Sequence, residues 1–193
     1  MLNKMLTYKP NVDHRDQFGN TLLHYASLYG EVEVVKKLLD LNCEANAENQ
    51  QGMQSLHTAI IGNSIECFLL ILGHLGKKTM LDNFVISQIP GTGQNCLHLA
   101  VLFNSTSVFN YCLDVLENLD LQDAKGKTAL MYAVEAGNIE FVRNLLIYNA
   151  NSHIYDSSGN NLLFYLLNIW GNMIRSTSGK LEDSDISSLF KVD

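Results

Sequence analysis

The chain has 193 residues, a formal net charge of −7 and an isoelectric point near 5.3, and 47% of its residues are hydrophobic. This length is typical of a single domain, and this apolar share is typical of a folded one. The lysines are isolated or paired, so no cationic footprint for nucleic acid or an anionic membrane is predicted. No apolar run is long enough for a transmembrane helix, and we therefore expect no membrane association.

Two further features indicate the compartment. The first ten residues, MLNKMLTYKP, contain Lys4 and Lys9 and lack the apolar core of a signal peptide. The four cysteines show no regular pairing, which favours a reducing environment. We therefore expect a cytosolic or nuclear protein.

One pattern recurs along the chain. Its copies are DQFGNTLLHYAS (16–27), NQQGMQSLHTAI (49–60), PGTGQNCLHLAV (90–101), DAKGKTALMYAV (123–134) and DSSGNNLLFYLL (156–167). The turn glycines are Gly19, Gly52, Gly93, Gly126 and Gly159, spaced by 33 residues except for a second interval of 41. A fixed period of this length predicts stacked structural repeats.

Three more positions keep phase with these glycines. They are a leucine (Leu23, Leu56, Leu97, Leu130 and Leu163), an alanine (Ala26, Ala59, Ala100 and Ala133) and a histidine (His24, His57 and His98). In the last two copies Met131 and Phe164 replace the histidine. A metal ligand or catalytic base could not be exchanged for Met and Phe, so the histidines are predicted to be structural.

These residues resemble the ankyrin repeat, whose core is T-P-L-H-x-A and whose period is about 33 residues. The resemblance covers about residues 13–170 and implies an all-α solenoid of helix-turn-helix units linked by β-turn or hairpin loops. It also implies that Thr21 and His24 hydrogen-bond each other and the neighbouring backbone. The motif's proline is missing from every copy. Each first helix is predicted to have about ten residues.

The register divides the chain into repeats. Residues 1–15 match the second helix of a partial repeat, so the chain either starts with a cap or is a fragment of a longer protein. The following units are repeat 1 (16–48), repeat 2 with an insertion (49–89), repeat 3 (90–122), repeat 4 (123–155), a C-terminal capping repeat (156–175) and a polar tail (176–193). The insertion, within 73–90, is expected to be either a packed excursion or a finger for a partner.

No catalytic, cofactor or metal site is predicted, and the chain is not expected to be an enzyme. Gly91 and Gly93 belong to the turn of repeat 3 and lack the third glycine of a dinucleotide-binding loop. A zinc site built on Cys96 and His98 would need two more ligands, which the register does not bring near. The cysteines occupy apolar positions of the repeat: Cys43, Cys67, Cys96 and Cys112.

In the ankyrin family, partners bind mainly to a concave surface formed by the turn tips and the exposed sides of the first helices. The tip positions here are Gln17, Phe18, Asn20, Gln50, Gln51, Met53, Thr92, Gln94, Lys125 and Lys127. The helix positions are Leu28, Tyr29, Ile61, Leu102, Phe103 and Glu135. The helix set is apolar in repeats 1–3, which predicts a partner-binding stripe. The alternative is that these side chains pack under the insertion or against a missing repeat.

The sequence therefore predicts a non-catalytic protein–protein interaction module that binds a protein through its concave surface, as an adaptor or inhibitor. One specific version is an inhibitor similar to the IκB group. The alternative is a targeting or scaffolding ankyrin domain of a larger protein, such as an enzyme or channel. A monomer is favoured, although an exposed apolar stripe could also support self-association.

Overall fold

The computed structural model describes residues 11–76 and 87–177. These residues form helices and no β-strand, which confirms the all-α prediction. The helices are α1 (Leu22–Leu28), α2 (Val32–Asp40), α3 (Ser55–Ile61), α4 (Ile65–Leu75), α5 (Cys96–Leu102), α6 (Thr106–Val115), α7 (Ala129–Glu135), α8 (Ile139–Ile147) and α9 (Leu162–Thr177).

The helices stack in the order of the sequence. In each of repeats 1–4, the first helix packs against the second helix that follows it. The first helices α1, α3, α5, α7 and α9 also pack in succession, and α2, α4 and α6 form a parallel row behind them. Each unit therefore buries its apolar side against its neighbours, as in other solenoids.

The first helices start at a polar N-cap residue with extended backbone. The backbone N–H groups of Thr21, Gln54 and Asn95 donate to Nδ1 of the histidine three residues later, at 3.1, 3.0 and 3.3 Å. The Thr21 hydroxyl also lies 2.9 Å from His24 Nδ1, so the implied Thr–His contact is confirmed.

The same helices end at a left-handed residue. Gly30, Asn63, Asn104 and Gly137 have φ between 53° and 69°, a conformation that glycine and asparagine adopt most readily. In repeats 1–4 the N-cap residue and the left-handed residue lie close together along the chain. The first helices of these repeats therefore have seven residues, and the predicted length of about ten was wrong. In repeat 5, Trp170 occupies the position of the left-handed residue, and α9 continues to Thr177.

The core consists of the leucine and alanine positions and the inner sides of the second helices. Leu23, Leu56, Leu97 and Leu130 are at most 2% exposed. The four cysteines are buried thiols, as their register predicts. Burial raises the pKa of Cys43 to about 11 and that of Cys96 to about 12.

The insertion lies between α4 and repeat 3. Helix α4 has eleven residues, whereas α2 and α8 have nine, so part of the extra length extends this second helix. Residues 77–86, and with them the hypothesis of a partner-binding finger, lie outside the described residues. The same holds for residues 1–10 of the predicted N-terminal half-repeat and for residues 178–193 of the predicted polar tail.

Candidate functional site

The turn tips are shaped by a side chain that bridges two backbone amides. In four repeats one side-chain oxygen accepts from the N–H groups two and four residues later, at 2.8–3.0 Å. The residues are Asp16, Asn49, Asp123 and Asp156. This arrangement fixes the loop without strand pairing. Repeat 3 has Pro90 at this position and Thr92 Oγ1 accepts from Gln94 N instead, at 3.4 Å.

Three of these carboxylates also hold the first helix of their own repeat. The Tyr25 hydroxyl donates to Asp16 at 2.5 Å, and the Tyr132 hydroxyl donates to Asp123 at 2.6 Å. Tyr165 makes the same bond to Asp156. Burial and the Asp123 hydrogen bond raise the pKa of Tyr132 to about 12. The tips of repeats 1, 4 and 5 are therefore anchored to their helices.

The sequence analysis missed these pairs. The signal was present, because an Asp and a Tyr nine residues apart occur together in repeats 1, 4 and 5. Repeat 2 has Asn49 and Thr58 at the two positions, and repeat 3 has Pro90 and Leu99. The two residue types thus appear and disappear together along the chain.

Hydrogen bonds between repeats align successive tips. The backbone N–H groups of Gln50, Ala124 and Ser157 donate to the carbonyls of Phe18, Thr92 and Lys125, at 2.9–3.0 Å. Deeper in the interface, Nε2 of His24 donates to the Met53 carbonyl at 3.0 Å. His98 Nε2 contacts the Lys127 carbonyl at the same distance. Two of the three motif histidines therefore connect neighbouring repeats.

The middle histidine lacks this connection. His57 Nδ1 accepts from the Gln54 N–H, so the ring proton lies on Nε2, and this buried atom has no hydrogen-bond partner among the described residues. Burial lowers the pKa of His57 to about 4. Within residues 11–76 and 87–177, no group of three or more His, Cys, Asp or Glu residues lies close enough to bind a metal ion.

The predicted partner-binding residues divide by exposure. The exposed ones are Gln17, Phe18, Tyr29, Gln50, Gln51, Thr92, Leu102, Phe103, Lys125 and Glu135. The half-buried ones are Asn20, Leu28, Met53, Ile61, Gln94 and Lys127. Tyr29 is 73% exposed and Phe103 is 45% exposed, so the aromatic groups expected at the surface lie there.

Several of the half-buried residues also support the repeat itself. Met53 packs against the core and supplies the carbonyl that His24 contacts. Lys127 Nζ pairs with Glu135 at 2.7 Å and lies 4.8 Å from the centroid of the Tyr165 ring. A cation held over an aromatic ring and paired with a carboxylate is only partly available to a partner.

Three successive first helices carry Tyr29, Gly62 and Phe103 at the same position. A Cβ on Gly62 would lie 2.1 Å from the carbonyl oxygen of Leu28, so this position admits no side chain without a backbone shift. Gly62 therefore stands between two exposed aromatic residues, Tyr29 and Phe103, in the row of first helices. At the other end of these helices, hydrogen bonds between repeats, among them Gln50 Nε2 to the Gln17 carbonyl at 2.9 Å, hold the amide side chains of the tips in place.

No helix in the described part of the chain has the length and apolarity that crossing a bilayer requires. The fold and the tip geometry define a helical solenoid with an exposed, partly aromatic surface along its tips. The family description "Ankyrin repeats (3 copies)" matches residues 1–83 and 77–156. The chain belongs to the ankyrin-repeat family. Ankyrin repeats are in general protein–protein interaction modules.

Curated relatives carry the repeats within much longer chains. Glycerophosphocholine phosphodiesterase GDE1 of Candida albicans is 32% identical over 80% of this chain and 14% of its own length. Nuclear factor NF-kappa-B p105 subunit of Gallus gallus is 28% identical over 79% of this chain and 16% of its own length. Rabankyrin-5 of Mus musculus is 26% identical over 68% of this chain and 14% of its own length. The chain thus spans about a seventh of these proteins.

Proposed function

We propose that this chain is a non-catalytic adaptor or inhibitor that binds one protein partner across its concave surface. The observation that carries the proposal is the pair of exposed aromatic residues, Tyr29 and Phe103, on either side of Gly62. Aromatic side chains supply much of the binding energy in protein interfaces. The amide-rich tips add hydrogen-bonding groups at the rim.

The ordering of this surface supports the proposal. Tips that are bonded to their own helices and to each other lose little conformational entropy when a partner binds. Phe18, 56% exposed on the tip of repeat 1, and Leu102, 43% exposed at the end of α5, extend the apolar area beyond Tyr29 and Phe103. The surface therefore combines fixed polar groups with apolar anchors.

The test is affinity capture from cell lysate, read by mass spectrometry, with the wild type beside a Tyr29→Glu/Phe103→Glu variant. The matched control is Ile139→Glu/Ile147→Glu, because these isoleucines are 74% and 65% exposed on the second helix α8. Circular dichroism checks that all three proteins are folded. We expect one partner to be lost with the aromatic variant and kept with the control.

The proposal fails if the folded aromatic variant and the control capture the same partners as the wild type. Photo-crosslinking groups placed at positions 18 and 92, on the tips, give an independent readout. They should form adducts with the captured partner, whereas a group at position 147 should not. Adducts only from position 147 would place the interface on the second helices.

A second candidate function is that these repeats form the targeting or scaffolding part of a larger protein. It is favoured because this chain matches only 14% of the length of GDE1 and 16% of the length of the p105 subunit. Sequencing the full transcript tests it, because an open reading frame extending beyond these 193 codons would place the repeats inside a longer polypeptide.

For the compartment we propose the cytosol or nucleus, because the four cysteines are buried thiols, which suits a reducing environment. Imaging of the tagged protein with compartment markers tests this proposal. A signal confined to the secretory pathway would contradict it.

A further inference from the structure

The last helix exposes an apolar stripe. Leu163, Leu166, Leu167 and Trp170, here called the end stripe, follow the i, i+3, i+4, i+7 spacing of one helix face and line one shallow groove. They are 59%, 47%, 56% and 63% exposed. Most of these positions are buried in the earlier repeats, so this exposure needs an explanation.

Within the described residues, repeat 5 has no second helix. In repeats 1–4 the leucine at the position of Leu163 is at most 2% exposed, and the alanine at the position of Leu166 is at most 5% exposed. There the second helix and the next repeat cover them. In repeat 5 the helix runs straight on past Trp170, so nothing in the described residues returns to cover the face.

We propose that residues 178–193 of this same chain cover the end stripe, with Ile186, Leu189 and Phe190 packed against it. These three residues are spaced i, i+3, i+4. The second helices use the same spacing for their buried side: Val35, Leu38 and Leu39 in α2, and Phe68, Ile71 and Leu72 in α4. The tail therefore carries the apolar pattern that repeat 5 lacks.

The distances permit this arrangement. Trp170 lies about 10 Å along the helix axis from Thr177. Residues 178–185 can span up to about 26 Å, enough to turn back and bring Ile186 beside Trp170.

Tethering favours the tail over a second copy of the chain. A short flexible linker gives a tethered segment an effective concentration on the order of millimolar. A second copy at micromolar concentration would have to bind far more tightly to displace it. Because it is tethered, the tail is favoured over a second copy as the segment that covers the end stripe.

The test uses Trp170, which is the chain's single tryptophan and lies in the end stripe. Emission wavelength and acrylamide quenching are compared for the full chain, for a chain ending at Thr177, and for Ile186→Glu/Leu189→Glu. We expect Trp170 to be protected in the full chain, and both variants to show red-shifted emission and loss of protection. The matched control is Ser187→Glu/Ser188→Glu, which changes the other side of the tail and should leave Trp170 protected.

Two further readouts decide among the occupants. Circular dichroism confirms that the variants are folded, and a synthetic peptide of residues 178–193 should restore protection to the shortened chain. Equal quenching in all proteins would overturn the proposal. Protection that disappears on dilution, together with a dimer in sedimentation analysis, would assign the stripe to a second copy and also overturn it. None of these outcomes depends on partner capture by the concave surface.

Discussion

Repeats 1 and 2 meet at what we call the first joint, and repeats 2 and 3 meet at the second joint, on either side of the same helices α3 and α4. At the first joint, His24 reaches the Met53 carbonyl at 3.0 Å and the N–H of Gln50 reaches the Phe18 carbonyl at 3.0 Å. The Thr58 hydroxyl also donates to the His24 carbonyl at 3.0 Å. Directional bonds thus fix this joint at the tip and in its interior.

At the second joint the described residues do not make the corresponding bonds. Among them, His57 Nε2 has no partner and the Gly91 N–H has no acceptor. A Cβ on Gly52 would lie 2.9 Å from the Pro90 ring, so the tips touch through van der Waals contact. Ser105 donates to the Ile60 carbonyl, and packing such as the Phe68–Tyr111 ring contact also holds the joint.

The insertion of eight residues falls at this second joint. Apolar packing tolerates a changed loop path because it has little directionality, whereas hydrogen bonds require donor and acceptor within a few tenths of an ångström. The comparison indicates that the insertion is accommodated by losing directional bonds while the core continues.

The largest effect is expected from adding a methyl group at the first joint. Gly62→Ala would place Cβ 2.1 Å from the Leu28 carbonyl oxygen. Overpacking against backbone should lower the free energy of unfolding by about 3 kcal/mol. Urea denaturation measures this change.

The matched control is Gly73→Ala in α4, where an added Cβ meets nothing within 4 Å. Its higher helix propensity should make the protein more stable, by about 0.5–1 kcal/mol. If both variants had equal stability, the close approach of α1 and α3 at the first joint would be contradicted.

A comparable effect is expected from pH at the second joint. Burial lowers the folded-state pKa of His57 to about 4, below the unfolded value near 6.5. Between these pH values the unfolded chain binds more protons, so stability is lost as the pH falls. His57 should contribute on the order of 3 kcal/mol to this loss.

Denaturation in urea at pH 7.5, 6, 5 and 4.5 checks this prediction. His57→Met, which copies the residue at position 131, should flatten the pH dependence because its side chain does not titrate. His24 and His98, whose pKa values burial also lowers, supply the remaining slope. An unchanged slope in His57→Met would show that His57 is protonated as readily folded as unfolded.

The fold could be predicted from the sequence because its signals are local. Leu23, Ala26 and Gly19 recur at fixed spacing, and each following copy of the repeat supplies the surface that buries the leucine and the alanine. The seven-residue helices could not be predicted from the same pattern, because their ends depend on the φ angle at residues such as Gly30. The Asp16–Tyr25 pair required knowing that the turn folds back onto its own helix.

For the candidate surface, too, some features could be predicted from the sequence register and others could not. Tyr29 and Phe103 lie at the end of the first helix, where the register predicts surface positions, and both are exposed. The partial burial of Lys127 does not follow from register. It arises from Glu135 and Tyr165, which come from two different repeats. The unpaired His57 depends on where repeat 3 lies after the insertion, and no local pattern encodes that position.

A smaller effect should distinguish the two joints when the histidine side chains are uncharged. At pH 8, His24→Met removes the contact to the Met53 carbonyl and should lower the free energy of unfolding by about 1–3 kcal/mol. His57→Met takes the acceptor away from the Gln54 N–H, as His24→Met does from that of Thr21, but it breaks no bond from Nε2 among the described residues. Its loss should therefore be smaller, within about 1 kcal/mol of the wild type. Equal losses in the two variants would indicate that His57 makes a compensating bond.

The smallest effect should appear in amide hydrogen exchange at the tips. The N–H groups of Gln50 and Ala124 donate to the preceding tip, whereas that of Gly91 at the second joint does not. After correction for intrinsic rates, Gly91 should exchange about tenfold faster than Ala124, because an exposed amide is protected only by its hydrogen bond. Exchange of Gly91 as slow as that of Ala124 would mean that the tips at the second joint are bonded after all. The two joints would then differ only in the interior, at His57.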